Sequence, residues 1–254
     1  LQSALEKHHA IMQKSIESNN GFVFEIIGDA FCCVFEKAED AVKAAVEAQL
    51  SLAEEKWKDA VIKIRIGIHS GNAEWSNNKY MGYITLARTA RVMSCGYGEQ
   101  IIISDSTYEL CRDKFDAVKE MNITFRDMGE RRMKDVIQPI RLFQIVSPGL
   151  KEDFPPLKTL DARPNNLPVQ LTSFIGREKD IADIKKLLSG TRLLTLTGPG
   201  GTGKTRLSLQ AAAEVIDDFN NGVWIAELAP LTDPLLLPVT IAGALGISEQ
   251  PGQE

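Results

Sequence analysis

Residues 198–205 read Gly-Pro-Gly-Gly-Thr-Gly-Lys-Thr. Gly198, Gly203, Lys204 and Thr205 meet the pattern G-x4-G-K-[S/T], whose residue types suit the binding of a phosphate chain. In such a loop Gly198, Pro199, Gly200, Gly201, Thr202 and Gly203 form a curl of backbone whose N–H groups point at phosphate oxygens. A helix that starts at its end aims a positive dipole at the same anion. Lys204 is placed to reach the β- and γ-phosphates of ATP, and the Thr205 hydroxyl to ligate Mg²⁺. Hydrolysis would need a further carboxylate at the end of a second strand. Asp217 and Asp218 end a helical pattern, and Glu227 lies in a strand-like run without the matching signature. The residues present therefore argue for binding of ATP phosphates and not for hydrolysis.

The elements around the loop have the order that this chemistry needs. Leu193 to Thr197 is a β-rich run, the glycine loop follows, and a helix is expected through Leu207, Ala211 and Val215. Val223 to Leu228 is the expected next strand. That is a β–loop–α–β order, and so an α/β P-loop domain. Upstream, Ile181, Ile184, Leu187 and Leu188 mark a helix that stops at Gly190.

A second candidate is Asp29. Gly28-Asp29 separates a strand-like run, Gly21 to Ile27, from its hairpin partner, Ala30 to Phe35, so the turn presents a carboxylate outward. The elements around it alternate. Residues 1–19 and 37–55 are amphipathic helices, the second through Ala41, Ala44, Ala45, Ala48 and Leu52. Val61 to Ile68 alternates as a half-buried strand. Residues 82–95 are helical, Gln100 to Ser104 is a short strand, and Ser104-Asp105 could cap the next helix. Further strands are expected at 122–128 and 140–146. Mixed strands and helices with adjacent hairpins indicate α+β. Residues 148–173 hold five of the eleven prolines, a density that reads as an extended linker between two domains.

Composition agrees with a two-domain globular chain: 254 residues, 44% hydrophobic and 25% charged, with net charge −5. That charge argues against a broad basic face for nucleic acid. No apolar run approaches the roughly 18 residues of a membrane span. The four cysteines show no CxxC spacing and read as reduced, buried thiols of a cytoplasmic protein. The chain begins at Leu1 inside a helical pattern, and both ends are expected to continue.

Four segments resemble class III nucleotide cyclases: Phe24-Glu-Ile-Ile-Gly-Asp29-Ala-Phe, Arg65-Ile-Gly-Ile-His-Ser-Gly71, Tyr80-Met-Gly-Tyr to Thr89-Ala-Arg91, and Gly129 to Lys134-Asp135. The resemblance implies a ferredoxin-like α+β domain over residues 1–147, lacking its first strand. It implies attack by a ribose 3′-hydroxyl on the α-phosphate with release of pyrophosphate, at two metal ions, Mg or Mn, held by two carboxylates. Asp29 matches the second metal aspartate. The first is expected upstream of Leu1, so these residues are not expected to cyclise a nucleotide by themselves. Arg91 matches the arginine that stabilises developing charge, and Lys134 a triphosphate-binding lysine. The asparagine four residues before that arginine is replaced by Ala87, or by Leu86 if Gly82 anchors the comparison. Loss of one such donor costs about 10²–10³ in rate. His69 reads as a structural residue after a strand. Such domains pair as head-to-tail homodimers.

Glu25 and Lys79 occupy the purine-reading positions, with the charges exchanged relative to the Lys and Asp of adenylyl cyclases. A carboxylate and an ammonium complement the donors and acceptor of guanine, so of the two expected substrates, ATP or GTP, GTP is the one preferred if the domain is active. The other reading is that Glu25 and Lys79 pair with each other or face water.

Residues 174–254 resemble the STAND class of signal-transduction ATPases, through Phe174-Ile-Gly-Arg177-Glu178, the glycine loop and Gly222-Val-Trp-Ile-Ala-Glu-Leu228. An arginine at the position of Arg177 lies near the nucleotide in such proteins. The alternative for it is a solvated helix start. The whole order resembles bacterial proteins that join a cyclase to an ATPase switch. The expected function is signal transduction, and the alternative is a catalytically dead, nucleotide-sensing domain in a transcriptional regulator. No membrane or nucleic-acid contact is expected from these residues.

Overall fold

The computed structural model describes residues 2–57, 60–76, 79–115, 121–134, 136, 138–168, 174 and 176–247, and of residues 79, 81 and 83 the backbone alone. Asp135 and Ile175, which belong to two of the motifs, lie outside the described residues. The chain divides into two compact units: Leu1–Met133 with Gln138–Lys158, and Lys134–Ile137 with Thr159–Glu254.

The first unit runs α1 (Gln2–Ser18), β1 (Phe22–Ile27), β2 (Ala30–Val34), α2 (Ala38–Glu54), β3 (Ile66–Ile68), β4 (Glu74–Ser76), β5 (Lys79–Met81), α3 (Tyr83–Cys95), β6 (Ile101–Ser104), α4 (Asp105–Cys111), β7 (Thr124–Arg131) and β8 (Ile140–Val146). Four strands form one sheet in the order β3-β6-β8-β7, with β3 and β6 parallel and the other pairs antiparallel. The hairpins β1-β2 and β4-β5 are separate two-stranded sheets. Mixed parallel and antiparallel pairing with helices is the α+β architecture that the alternating patterns indicate.

The core follows from those patterns. Helix α2 buries Ala41, Val42, Ala44, Ala45, Val46, Ala48 and Leu52 at helical spacing, while Glu39 and Asp40 in its first turn complement the dipole. Val42 and Val46 pack with Ile101, Ile103, Phe143 and Ile145 of the sheet. Strand β6 is buried at every position, so both of its faces are covered. Each fully buried Ile contributes about 1.5–3 kcal/mol relative to exposure. Behind β6, Gly67 of β3 lets α3 approach closely. A Cβ on Gly67 would lie 2.3 Å from the backbone nitrogen of Met93.

Several expectations need correction. Val61 to Arg65 alternates in burial but carries no ladder, so the strand is Ile66–Ile68 alone. Alternation marks a half-buried extended run, whereas a strand also needs a partner along its whole length. Ser104 precedes α4 but makes no capping hydrogen bond, because its hydroxyl lies 2.9 Å from His69 Nδ1. Within the proline-rich stretch, the division between the two compact units falls between Lys158 and Thr159. In the first unit the Tyr97 hydroxyl donates to the Pro156 carbonyl, and Leu157 is buried.

The second unit contains α5 (Glu178–Leu188), α6 (Lys204–Val215) and α7 (Leu237–Ala244), with single 3₁₀ turns at Leu160–Ala162, Ile216–Asp218 and Pro234–Leu236. Ile184, Leu207 and Ala211 form its small core, with Phe174, Ile181, Leu188, Leu194 and Leu196 packed against it. The expected strands at 193–197 and 223–228 are not paired into a ladder among the described residues. Leu194 and Leu196 do turn toward the helices while Leu193 and Thr195 are exposed, so the period-2 pattern is real but the backbone lacks a neighbour. Val223 makes one parallel bridge, to Asn165. Beside it the Asn166 side chain accepts from Ile225 N at 2.7 Å and donates to Ile225 O at 2.9 Å.

Candidate functional site

In the first unit the turn between β1 and β2 carries Asp29, exposed at the tip of the hairpin. Helix α1 lies beside it. Gln2, Leu5, Glu6 and His9 line a cleft of about 330 Å³ together with Gly28 and Asp29. His8 and His9 stack edge-on against Phe31 of β2, with ring centroids 5.8 and 5.1 Å away. His8 is buried and its Nδ1 has no hydrogen-bond partner. Burial, and then the neighbouring His9, hold its pKa below the ordinary 6.5, against a smaller opposing pull from Asp29. Reasoning from motifs passed over His8. Its spacing with Ala4, Ser15 and Ile16, the buried positions of α1, is the signal that places it inside.

The described residues contain no group of three or more His, Cys, Asp or Glu side chains able to hold a metal ion. Asp29 stands in no such group, and no metal geometry follows from it.

Glu25 is exposed on β1, next to a β-bulge between Val23 and Glu25. A bulge re-aims the side chains around it. Phe24 meets Tyr80 of β5 with centroids 5.1 Å apart, and Phe22 meets Trp75 of β4 at 6.1 Å. These ring contacts bring β1 and the β4-β5 hairpin together, so the backbones of Glu25 and Lys79 flank a touching aromatic pair. Lys79 pairs through its backbone with Ser76.

Arg91 is half-buried on α3, with its carbonyl accepting from the Ser94 hydroxyl at 2.8 Å. Two residues of the same helix fix its start. Thr85 Oγ1 donates to Asn72 O at 2.8 Å, and Thr89 Oγ1 to Thr85 O at 2.8 Å. Ala87 is exposed and offers no donor. Lys134 falls in the second unit, where Nζ donates to Glu214 O at 3.3 Å and lies 3.6 Å from the Asp217 carboxylate.

In the second unit Gly198 to Gly203 curl ahead of α6, whose first residues are Lys204 and Thr205. Gly201 and Gly203 have φ of 77° and 76°, a region where a Cβ is strained, so the curl requires glycine there. A Cβ at Gly200 or Gly201 would meet nothing within 4 Å, which leaves the loop's surface open. Lys204 Nζ turns back and donates to Gly198 O at 2.9 Å and Pro199 O at 2.7 Å. Thr202 Oγ1 donates to Pro199 O at 3.0 Å. Arg177, in the left-handed region with φ 63°, donates from Nη1 to Thr202 O at 3.0 Å and also pairs with Asp180. The structure therefore gathers Arg177, Lys204, Thr205 and the glycine loop into one place.

The model of the family "Adenylate and Guanylate cyclase catalytic domain" matches residues 1–145. An uncharacterized protein of Mycobacterium tuberculosis is 31% identical over 156 residues, 61% of this chain and 51% of its own length. Another from the same organism is 46% identical over 82 residues, 32% of this chain and 21% of its own. The chain thus spans about half the length, or less, of the curated relatives it matches. Among solved structures, adenylate cyclases from Trypanosoma brucei in their monomeric state align with a TM-score of 0.53 at 19% identity, covering 62% of this chain and 84% of theirs. That likeness concerns the fold. Taken with the hairpin that presents Asp29 and the helix that carries Arg91, the match over more than half of the chain establishes that this chain belongs to the adenylate and guanylate cyclase catalytic domain family.

Proposed function

We propose that the protein is a signalling nucleotide cyclase whose second unit binds ATP through a P-loop. The observation that carries the cyclase reading is the exposed Asp29 carboxylate at a hairpin tip inside the segment that matches the cyclase family. In the reaction a ribose 3′-oxygen bonds to the α-phosphorus, the bond from that phosphorus to the pyrophosphate oxygen breaks, and the hydroxyl proton leaves to solvent. Divalent metal, when bound, activates the hydroxyl and neutralises phosphate charge. Asp29 is one ligand for it. Arg91 faces developing phosphate charge, and Lys134 is the cation for the triphosphate once it exchanges its carboxylate partners for phosphate. Glu25 and Lys79 read the base, with guanine favoured. The domain acts as a homodimer in the cytoplasm.

The P-loop reading is supported by the curl of Gly198 to Gly203, Lys204 at the start of α6, and Arg177 against the loop. Thr205 is the Mg²⁺ ligand. The domain limits are 1–147, a linker at 148–173 and 174–254. Replacement of the transition-state asparagine by Ala87, or by Leu86 if Gly82 anchors the comparison, favours a second reading, in which the cyclase unit senses nucleotide or dimerises without turnover in an ATP-dependent transcriptional regulator.

Turnover of the full-length protein with Mn²⁺, comparing ATP with GTP, decides between the readings. Cyclic nucleotide and pyrophosphate in equal amounts, with GTP preferred, is the expected result. Nucleotide binding without either product establishes the sensor, and a clear preference for ATP removes the guanine assignment.

A further inference from the structure

The residues that follow β8 are bound to the first unit at alternate positions. Leu150 packs against the core between α2 and the sheet. The Glu152 carbonyl accepts from Gln144 Nε2 at 2.7 Å and from Arg126 Nη1 at 2.9 Å. The Phe154 ring stacks with Tyr97, the centroids 6.5 Å apart and the planes inclined by 14°. The Pro156 carbonyl accepts from the Tyr97 hydroxyl at 2.9 Å, and the Lys158 amide donates to the Cys95 carbonyl at 2.9 Å. The Lys158 ammonium lies 4.6 Å from the centre of the Tyr97 ring, and Leu157 is buried. Alternation of this kind belongs to an extended chain, held here by side chains and by the end of a helix.

Two features are completed by this strap. Gln100 and Gln144 are buried, and their amides run in series: Tyr97 N donates to Gln100 Oε1, Gln100 Nε2 to Gln144 Oε1, and Gln144 Nε2 to Glu152 O. The series ends on the strap, whose departure takes that acceptor from a buried amide. The second feature is the end of α3. The last carbonyls of a helix have no partner within it. Cys95 is the last residue of α3, and Lys158 N supplies its carbonyl with a donor.

Arg91 stands about one turn before Cys95 on the same helix. We infer that residues 150–158 form a latch on the end of α3 and that Tyr97 is a positioning residue: by gripping the latch it fixes the last turn of α3, and with it Arg91. The first unit ends at Lys158 and the second resumes at Thr159. A displacement of Thr159 therefore reaches the cap of α3 through one peptide bond.

The consequence for Arg91 rests on the cyclase reading, but the latch does not. Tyr97→Ala removes the hydroxyl, the ring stack and the cation–π contact together, whereas Tyr97→Phe removes the hydroxyl alone. The test is amide hydrogen exchange in the full-length protein, read over residues 91–95 and, for reference, over residues 42–46 of α2. Tyr97→Ala should lower protection at 91–95 by about tenfold or more relative to the reference, and Tyr97→Phe should keep most of it. Unchanged protection at 91–95, or an equal loss at both places, overturns the inference. Phe154→Ala, which alters the strap and not α3, gives the same comparison if Tyr97→Ala does not fold. Turnover is the second readout: Tyr97→Ala should lower kcat by about tenfold with KM little changed, and Tyr97→Phe should stay close to wild type. An unchanged kcat beside a loosened α3 overturns the positioning of Arg91. Local loss of protection in a protein that forms no cyclic nucleotide leaves the latch standing and removes the cyclase reading instead.

Discussion

Gly67 and Met93 meet backbone to backbone: a Cβ on Gly67 would sit 2.3 Å from the Met93 nitrogen and 2.4 Å from its Cα. Strand β3 and helix α3 are therefore spaced by the absence of one methyl group. Gly67→Ala forces them apart, because the obstacle is main chain and cannot swing aside. Overpacking of this kind costs about 1–3 kcal/mol, so urea denaturation should show that loss. Unchanged stability would mean that the two elements are not held this closely.

Gln100 and Gln144 form a buried pair at 2.7 Å, each about 1% exposed. Gln100 also accepts from Tyr97 N, and Gln144 donates to Glu152 O. Gln100→Leu strands the Tyr97 amide and one Gln144 acceptor, at about 1–3 kcal/mol for each unsatisfied group. Thermal unfolding should register the loss. Adding Gln144→Leu should cost less than the sum of the two single changes, and strict additivity would show that the pair does not interact.

The base-reading assignment predicts a swap. Glu25→Lys combined with Lys79→Asp should change the ratio of GTP to ATP turnover by about tenfold or more toward ATP, roughly 1.4 kcal/mol in relative transition-state binding. A ratio unmoved by the double change would take both residues out of the base site.

Lys204→Ala removes the only ammonium in the glycine loop's own sequence. Calorimetry on the full-length protein should show loss of ATP binding, with the fold retained by far-UV circular dichroism. Unchanged affinity would refute a phosphate role for the loop.

His8 supplies a pH signature. Its folded pKa lies below 6.5, so between the two values the unfolded chain binds more protons than the folded one. Stability from this residue is therefore complete above about pH 6.5 and declines as pH falls toward the folded value. His8→Leu should flatten the stability profile over that window. A profile with the same slope would place the titration elsewhere.

Much of the first unit was legible because its patterns are long. Helix α2 repeats small apolar residues over its full length, and the β1-β2 hairpin is bounded by Gly28-Asp29. The β4-β5 hairpin escaped notice because three-residue strands leave too short an alternation to detect. The glycine loop could be read residue by residue, since its chemistry lies in local spacing. The runs at 193–197 and 223–228 could be read for burial but not for pairing, because a ladder depends on which neighbour is present. His69 joins Ser104 and Ser106 across more than thirty residues, and nothing in local spacing announces such a network. The placement of Lys134 beside Glu214 spans a still longer stretch, 80 residues of chain.

Asn166 offers Ile225 both a donor and an acceptor, as an adjoining peptide group would. With the Asn165–Val223 bridge it occupies the hydrogen-bonding edge that the run after Gly222 would otherwise present. Unsatisfied edges recruit strands from other molecules. The side chain of a single asparagine thus stands in for a neighbouring strand at Ile225, in a run where Trp224 and Leu228 are exposed.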